Sequence, residues 1–373
     1  IQKAARDFAV NECLPDVIDR DEHQRFPKEQ IEKLADLGFM GMMVDTNYGG
    51  SGMDTVSYVL AMEEISKIDA SVSVCMSVNN SLVCYGLQSY ASEEQKQQYL
   101  SPLAQGKKDG ELYIGAFLLS EPEAGSDATS QQTTAEDMGD YYLLNGTKNW
   151  ITNGSSASVY LVIAQTDVAK KSKGINCLIV EKNWPGVTVA AKENKLGIRG
   201  SDTHTIMFND VKVPKENRIG TDGFGFTFAM KTLAGGRIGI ASQALGIASG
   251  AYELALKYSK QRKAFGTEIC NHQAIQFKLA DMATKIEAAR LLCLKAAWEK
   301  DNGIDYTLSS SMAKVFASET AMWVTVEAVQ IHGGYGFVKE YHVERLMRDA
   351  KITQIYEGTS EVQRIVIGRS ILK

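Results

Sequence analysis

The stretch YYLLNGTKNWI, Tyr141–Ile151, contains the aromatic and β-branched residues typical of strands. Within it, Asn145-Gly146 stands between two apolar runs, which is a strong signal for a two-residue hairpin turn. Similar short stretches, separated by turn residues, occupy the chain between Glu111 and Gly220: YIGAFLLSE, SVYLVIAQT, GINCLIVEK, GVTVAAKE and HTIMFNDVKVP. Because no helical pattern separates them, this block is predicted to be an antiparallel β-barrel or sandwich and not a doubly wound sheet.

On both sides of the β-block, apolar residues recur at helical spacing. Toward the N-terminus, FPKEQIEKLADLG places Ile31, Leu34 and Leu37 on one face and stops at Gly38. Toward the C-terminus, long helical patterns suit an antiparallel four-helix bundle and cover residues 224–260, about 273–300, 307–332 and a last segment from about Ser360. The predicted fold is a multi-domain α+β protein with an N-terminal helical domain (1–112), a middle β-domain (113–223) and a C-terminal helical bundle (224–373).

Composition and charge exclude several classes of protein. The 373 residues are 44% hydrophobic and 23% charged, which is ordinary for a globular protein of two or three domains. The net charge of −5 does not favour nucleic acid or an anionic membrane as a partner. No apolar run reaches the length of about 18 residues that a membrane span needs, so none is expected. The first residues, IQKAARDFAV, carry no readable signal or transit peptide.

The reactive residue types give few positive signals. The six cysteines form no CxxC pair and no metal-binding spacing with histidine. We expect them to be reduced and mostly buried, as in a reducing compartment, and we predict no metal site. The chain contains no GxSxG motif, no HExxH motif and no recognisable Ser/His/Asp triad, which argues against hydrolase chemistry.

Two segments of the β-block suggest a cofactor site. LLSEPEAGSDATS, Leu118–Ser130, joins a strand to a polar turn, where backbone N–H groups and the hydroxyls of Ser120 and Ser126 could cradle a ring edge or a phosphate. A generic loop between strands is an equally good interpretation. NWITNG, Asn149–Gly154, places Trp150 and Thr152 on one face of a strand, as a wall for a flat aromatic cofactor, although a core tryptophan is the commoner case. No GxGxxG follows a strand, which counts against a nicotinamide site.

The helical bundle carries further polar candidates. Arg262 in SKQRKAFG either complements a helix C-terminus or binds a phosphate. The glycines of QIHGGYGF either end a helix or let backbone approach a ligand, and His332 is expected to be a packed residue. Arg237 in LAGGRIGIA stands among small residues and must meet an anion from the protein or from a ligand.

QIYEGTSEVQ, Gln354–Gln363, contains a carboxylate just before a predicted helix. Ser360 and Gln363 fit a capping box ahead of an apolar run. Glu357 is then either an ordinary turn residue or a base that points into a pocket, and this stretch alone does not decide between them.

In this order, the motifs LLSEPEAGSD, NWITNG, QRKAFG, QIHGGYG and RDAKITQIYEGTSEVQ resemble the acyl-CoA dehydrogenase family over nearly the whole chain. The resemblance implies the fold predicted above and the α,β-dehydrogenation of an acyl-CoA thioester on FAD. It also implies electron-transfer flavoprotein as the electron acceptor and a homotetramer built from dimers. The location implied is the cytoplasm in a bacterium or the mitochondrial matrix in a eukaryote.

The resemblance also assigns residues. Glu357 matches the catalytic base, and a carboxylate in a closed apolar cleft acquires the near-neutral pKa that abstraction of an α-proton requires. The flavin contacts implied in the same subunit are Phe117, Leu118, Leu119, Ser120, Gly125, Ser126, Trp150, Ile151, Thr152, Thr359, Ser360 and Glu361. The residues implied to reach the FAD of a neighbouring subunit are Arg262, Gln273, Gln330, Ile331, His332, Gly333 and Gly334, with Phe265 as a further cofactor-binding residue. The substrate contacts implied are Ser126, Ala234, Gly235, Gly236, Arg237 and Gly358.

Two departures from the family pattern bear on the substrate. Some branched-chain members carry their base at the position of Gly236, where this chain has no carboxylate, so Glu357 has no competitor. Ala234 replaces an acidic residue common in short-chain relatives. We expect a short straight acyl chain, and the alternatives are a branched-chain acyl-CoA dehydrogenase, an acyl-CoA oxidase that uses oxygen, or a non-catalytic binding scaffold of the same fold.

Overall fold

A computed structural model describes residues 1–373. The N-terminal part is helical: α1 (Gln2–Phe8), α2 (Val17–Glu22), α3 (Lys28–Asp36), α4 (Thr55–Ser66), α5 (Ala70–Ser77), α6 (Tyr85–Tyr90), α7 (Glu93–Gln95) and α8 (Ser101–Gln105). A π-helical segment, Val78–Cys84, joins α5 to α6 without a break in helical backbone. Gly38 follows the end of α3 with a φ of 74°, so it ends the helix as predicted.

The middle part is a curled sheet. After the short hairpin of β1 (Lys107–Lys108) and β2 (Glu111–Leu112), the strands are β3 (Gly115–Leu118), β4 (Thr134–Asp137), β5 (Tyr141–Thr152), β6 (Val159–Gln165), β7 (Ile175–Glu181), β8 (Val187–Lys192) and β9 (Thr203–Pro214). Seven of them form one sheet in the order β3-β6-β4-β5-β9-β8, with β7 also paired to β6. The prediction of antiparallel strands holds for most pairs, but β3 and β4 both run parallel to β6.

The predicted hairpin at Asn145-Gly146 is wrong, because both residues lie inside the continuous strand β5. A register shift between Leu144 and Gly146 marks a bulge in its pairing with β9. The Asn145 side chain exchanges hydrogen bonds with Asp210 across this bulge, at 3.1 and 2.8 Å. Gly146 has a φ of 143°, and a Cβ there would lie 2.7 Å from the Cα of Thr133. The glycine therefore serves a close approach of two strands and not a turn.

The C-terminal part contains the four long helical segments that the sequence predicts: α9 (Gly225–Ser259), α10 (Gln273–Asp301), α11 (Thr307–His332) and α13 (Ser360–Ile371). A hairpin of β10 (Lys263–Ala264) and β11 (Thr267–Glu268) connects α9 to α10. Helix α12 (His342–Ile352) is additional and was not predicted. Helix α9 is buried along most of its length and packs against α10, α11 and α4. It therefore lies at the centre of the molecule.

Buried charges join the three parts. Arg345 and Asp349 of α12 form an ion pair at 3.1 Å, and Asp349 accepts the N–H of Ile198 from the β-part at 2.5 Å. Arg348 pairs with Asp21 of α2 at 2.7 Å. Five of the six cysteines are buried, as expected. None of the helices combines the length and the apolar character that a membrane crossing needs.

Candidate active site

The turn that carries Glu357 joins α12 to α13. Glu357 and Gly358 have φ angles of 52° and 93°, so two successive residues adopt left-handed backbone, which is unfavourable for a residue with a Cβ. The Nε2 of Gln363 donates to the carbonyls of Glu357 and Gly358 at 3.2 and 2.8 Å. The Nζ of Lys314, on α11, donates to the same Gly358 carbonyl at 2.7 Å. These two buried side chains hold the turn.

The Glu357 side chain points inward from this turn. Its Oε2 is buried and has no hydrogen-bond partner. On α9, a Cβ at Gly236 would lie 2.1 Å from that oxygen and 2.8 Å from Leu82. The absence of a side chain at position 236 therefore makes room for the carboxylate against the central helix.

The surroundings of Glu357 set its proton affinity. Burial raises the pKa of Glu357 to about 7, against the opposing effect of the Lys314 and Arg237 cations. Arg237 is buried, donates to the Ser311 hydroxyl at 3.3 Å and keeps its Nε unpartnered. Burial lowers the pKa of Lys314 to about 8. A carboxylate with a pKa near neutrality and a free buried oxygen is suited to accept a proton from a bound ligand.

The predicted capping box is wrong by one residue. Thr359 is the N-cap of α13, and its hydroxyl accepts the Val362 N–H at 3.3 Å. Ser360 is the first helical residue, and its buried hydroxyl has no partner. Gln363 turns back to the Glu357–Gly358 turn, so its side chain does not complete the box. Glu361 is exposed in the first turn of α13.

The segment Phe117–Ser126 leaves strand β3 and reaches the surface. Phe117, Leu119 and Ser120 are partly exposed, and Gly125 and Ser126 are fully exposed. Leu118 belongs to the hydrophobic core, so a ligand could meet it only through its backbone. The Nζ of Lys148 donates to two groups of this segment, the Leu119 carbonyl at 3.1 Å and the Glu121 carboxylate at 2.7 Å. The loop is therefore anchored to strand β5.

Trp150 lies at a second bulge of β5, between Lys148 and Ile151. Its φ is 64° and 62% of it is exposed, so the interpretation as a core tryptophan is wrong. Ile151 is buried and Thr152 is partly exposed. The indole is therefore available to a flat ligand, while the bulge breaks the strand alternation from which Trp150 and Thr152 were predicted to share a face.

A separate cleft lies at the far end of α9 and α11. Its volume is about 540 Å³, and it is lined by Tyr258, Arg262, Ile269, Ile331, His332, Gly333, Gly334, Tyr335 and Val338. The Arg262 guanidinium lies over the Tyr335 ring at 5.5 Å, and His332 is stacked on Tyr258 at 4.3 Å. No atom lies within 4 Å of a Cβ at Gly333 or Gly334, so backbone is accessible there.

The remaining predicted residues lie around these sites. Phe265 is 96% exposed, and Gln273 and Gln330 are exposed near the cleft without lining it. Ala234 and Gly235 are buried on α9, one turn before Arg237. Glu357, Gly236, Arg237 and Gly358 come together, whereas the cleft forms a second group. From Gly236 to the end of α9 at Ser259 the helix extends roughly 35 Å.

Sequence reasoning missed Lys314 and Gln363, which hold the turn, and Lys148, which anchors the loop. Lys314 had a detectable signal, since it is a lone cation in the small-residue helix segment SSSMAKVFAS. The same argument had singled out Arg237. The hydrogen bond of Gln363 back to the turn has no signal in the sequence.

Comparisons with known proteins show the family of this chain. Family models match three segments: acyl-CoA dehydrogenase N-terminal domain (residues 1–107), middle domain (116–211) and C-terminal domain (223–372). The short-chain specific acyl-CoA dehydrogenase of Clostridium acetobutylicum is 48% identical over 100% of this chain and 97% of its own length. The CarC subunit of the caffeyl-CoA reductase-Etf complex of Acetobacterium woodii is 48% identical, with the same coverage. The structure of butyryl-CoA dehydrogenase from Megasphaera elsdenii superposes with a TM-score of 0.97 at 49% identity, covering 100% of this chain and 97% of that one.

Proposed function

Because this chain belongs to the acyl-CoA dehydrogenase family, we propose that it catalyses the FAD-dependent α,β-dehydrogenation of a short-chain acyl-CoA with Glu357 as the base. One observation carries the assignment: a buried, unpartnered carboxylate oxygen with a pKa raised to about 7, placed against the glycine face of α9. Such a group is neutral or ionised within the physiological range and can accept a proton from carbon next to a thioester.

The residues of the turn fit the rest of the reaction. Removal of the α-proton places negative charge on the thioester oxygen, which N–H donors can stabilise. No backbone carbonyl accepts a hydrogen bond from the N–H of Glu357 or Gly358, so both donors are free for a ligand. Gly358 leaves room for the Gln363 side chain, because a Cβ at this position would lie 2.7 Å from its Nε2. Arg237 and Lys314 add positive charge to the same region as the reaction proceeds.

The exposed indole of Trp150 and the loop up to Ser126 fit a flavin ring. An aromatic face of this kind stacks on a flat ring, and the loop offers backbone N–H groups and hydroxyls to its polar edge. FAD, when bound, supplies the acceptor for the β-hydrogen, which leaves as hydride. The protein residues exclude water and hold the substrate between that ring and Glu357.

The second cleft fits the phosphate end of a cofactor. The Arg262 guanidinium can form paired hydrogen bonds to a phosphate, and the backbone of Gly333 and Gly334 is accessible. It lies roughly 35 Å along α9 from Gly236, too far for one FAD to contact both places in the same subunit. The cleft therefore serves the FAD of a neighbouring subunit. Exposed apolar residues of the bundle supply a contact surface for a homotetramer: Phe277, Leu291, Trp298 and Ile365.

We assign electron-transfer flavoprotein as the electron acceptor, because the Acetobacterium relative is a subunit of a caffeyl-CoA reductase-Etf complex. The short chain length is supported by the relatives whose names specify short-chain or butyryl-CoA substrates. The name of the Acetobacterium relative also favours a second candidate, reduction of an enoyl-CoA at the same site, in which Glu357 returns the proton to the α-carbon.

The test is an anaerobic titration of the FAD-loaded protein with acyl-CoAs of increasing chain length and with branched analogues. We expect flavin absorbance to bleach fastest with a short straight chain. The Glu357→Gln variant should retain FAD and bind acyl-CoA but bleach about 1000-fold more slowly, because the base is absent. If this variant bleaches as fast as the wild type, Glu357 is not the base.

Four further observations on the same protein separate the alternatives. If no acyl-CoA bleaches the flavin, the proposed dehydrogenase function is wrong, and a protein that stays colourless with added FAD is a scaffold. Rapid formation of peroxide when the reduced protein meets oxygen would identify an oxidase. Return of the flavin absorbance when the anaerobic reduced protein is mixed with an enoyl-CoA, which is thereby reduced to the acyl-CoA, reports the reverse direction.

A further inference from the structure

We propose that Lys314 is a positioning residue for Glu357 with two effects: its ammonium holds the Gly358 carbonyl, which keeps the turn in the conformation that directs the carboxylate at α9, and its charge stabilises the ionised carboxylate. This inference rests on the proposed function, because it assigns a role to Lys314 in the reaction of Glu357. It concerns a residue that does not touch the reacting atoms.

The conformation of the turn requires restraint. Glu357 is one of the few residues with a side chain that adopt a positive φ in this chain, and Gly358 continues the left-handed backbone. Without external contacts, a residue with a Cβ returns to right-handed or extended backbone. That change would rotate the Glu357 side chain away from the space beside Gly236. Two donors from different helices, Lys314 at 2.7 Å and Gln363 at 2.8 Å, converge on the Gly358 carbonyl and oppose it.

Lys314 is an unusual choice for a merely structural contact. Its side chain is fully buried, its one hydrogen bond goes to a carbonyl, and no carboxylate forms an ion pair with it. A buried ammonium without a paired carboxylate is costly, whereas a neutral donor such as Gln363 can hold a carbonyl at lower cost. The charge itself is therefore expected to contribute, through its electrostatic attraction to the Glu357 carboxylate.

The electrostatic effect has a defined sign. The titratable and charged groups around Glu357 are Lys314 on α11, Arg237 on α9, Tyr58 on α4, Tyr356 in the turn and, toward Lys314, Glu361 on α13. Burial raises the pKa of Glu357, and the two cations lower it. Loss of Lys314 removes one of only two groups that favour the ionised base. The pKa of Glu357 should then rise.

Three substitutions separate the hydrogen bond from the charge. Lys314→Met removes both, Lys314→Gln keeps a donor without charge, and Lys314→Arg keeps both. The measurement is the rate of flavin reduction by a short-chain acyl-CoA from pH 6 to 9, with KM determined at each pH. For Lys314→Met we expect a loss of about 10- to 100-fold in kcat with little change in KM. We also expect the ascending limb of the pH profile to move up by about one pH unit.

The other variants complete the pattern. Lys314→Arg should restore the position of the limb, and Lys314→Gln should recover part of kcat with the limb still shifted. Gln363→Leu should lower kcat without moving the limb, because it removes a donor but no charge. Lys278→Met is the matched control: it removes a lysine of α10 that pairs with Glu327, and it should leave rate and profile unchanged.

The outcomes bear on Lys314 independently of the function. A wild type that reduces no flavin contradicts the proposed function. An active wild type with an unshifted limb in Lys314→Met and Lys314→Gln overturns the inference. If Lys314→Met does not fold, as judged by its melting temperature and FAD content, Lys314→Gln decides. A shifted limb in Lys314→Gln supports the inference, and an unshifted limb contradicts it.

Discussion

The carboxylate of Glu357 and a side chain at position 236 compete for the same space. A Cβ at Gly236 would lie 2.1 Å from the Oε2 of Glu357. This geometry gives a physical reason why this chain has glycine at position 236 when the carboxylate stands at position 357.

Substitution of Gly236 by Ala should therefore impair catalysis by displacing the base. We expect flavin reduction to fall about 100-fold, the effect of a misplacement of about 1 Å, while FAD content is unchanged. Gly368→Ala on α13 is the control, because no atom lies within 4 Å of a Cβ there. A Gly236→Ala protein with the wild-type rate would show that the carboxylate moves freely and that this space is not limiting.

The raised pKa of Glu357 also makes a prediction about stability. The ordinary pKa is 4.5 and the folded value is about 7, so the protonated carboxyl is favoured by the fold. Its contribution is fully present below about pH 4.5 and is lost as pH rises through about 7. Glu357→Gln mimics the protonated group at every pH. The melting temperature of the variant minus that of the wild type should grow from pH 5 to 7 and then level off.

The exposed Glu340→Gln provides the control for that experiment, since it removes a carboxylate from the surface. Its melting temperature should follow that of the wild type at each pH. A constant difference between Glu357→Gln and the wild type over the whole range would contradict a raised pKa at position 357.

Among the elements, strand β5 shows how one strand positions two parts of the site. Its bulge exposes Trp150, and its buried Lys148 holds the Leu119 carbonyl and Glu121 in the loop after β3. Glu121 also accepts the N–H groups of Gln132 and Thr133, at 2.6 and 3.0 Å. The buried ion pair of Lys148 and Glu121 therefore holds the loop that carries the predicted flavin contacts.

Lys148→Met should destabilise this element strongly. It leaves the Glu121 carboxylate buried without its cation, which costs about 3 to 5 kcal/mol. We expect a lower melting temperature and reduced FAD content. The double variant Lys148→Met, Glu121→Leu should recover part of the stability, because an apolar pair replaces the ions. Lys212→Met, which removes an exposed lysine of β9, is the control, and equal melting temperatures for it and Lys148→Met would contradict the role of the pair.

At the scale of the whole molecule, the two ligand-binding regions belong to different ends of α9. The carboxylate region lies near its middle, and the cleft with Arg262 follows its C-terminus. In the proposed assembly, a second copy of the chain would bring its cleft to the flavin of the first copy. The exposed apolar side chains of α10 and α13 give the association a surface.

Arg262→Ala should accordingly weaken FAD retention and assembly, because it removes the guanidinium that would bind the cofactor phosphate. We expect lower FAD occupancy after gel filtration and a shift toward smaller species by light scattering. Lys260→Ala, at the exposed end of the same helix, should change neither. Full FAD occupancy and an unchanged molar mass in Arg262→Ala would argue that the cleft does not bind the cofactor.

The sequence predicted the long helices well. The patterns at 224–260, 273–300 and 307–332 correspond to α9, α10 and α11 within a residue or two, because long apolar periods outweigh local exceptions. Helix α12 was missed although Val343, Leu346, Met347 and Ala350 recur at helical spacing, a signal that was available in the sequence. The hairpin at Asn145-Gly146 was wrong because strand pairing on both sides of β5 overrode a local turn signal.

The sequence by itself determined the order of helical, β and helical parts and singled out Glu357 and Arg237 as functional candidates. Both results depend on local patterns and residue chemistry, which a linear chain displays. Only the tertiary structure decided the N-cap at Thr359, the space at Gly236 and the roles of Lys314 and Gln363. The physical reason is that Gly236 and Lys314 lie far from the Glu357–Gly358 turn in the chain, and that the nearby contacts of Thr359 and Gln363 depend on the conformation this turn adopts in the folded protein. Burial, which sets the pKa of Glu357, is likewise a property of the packed molecule.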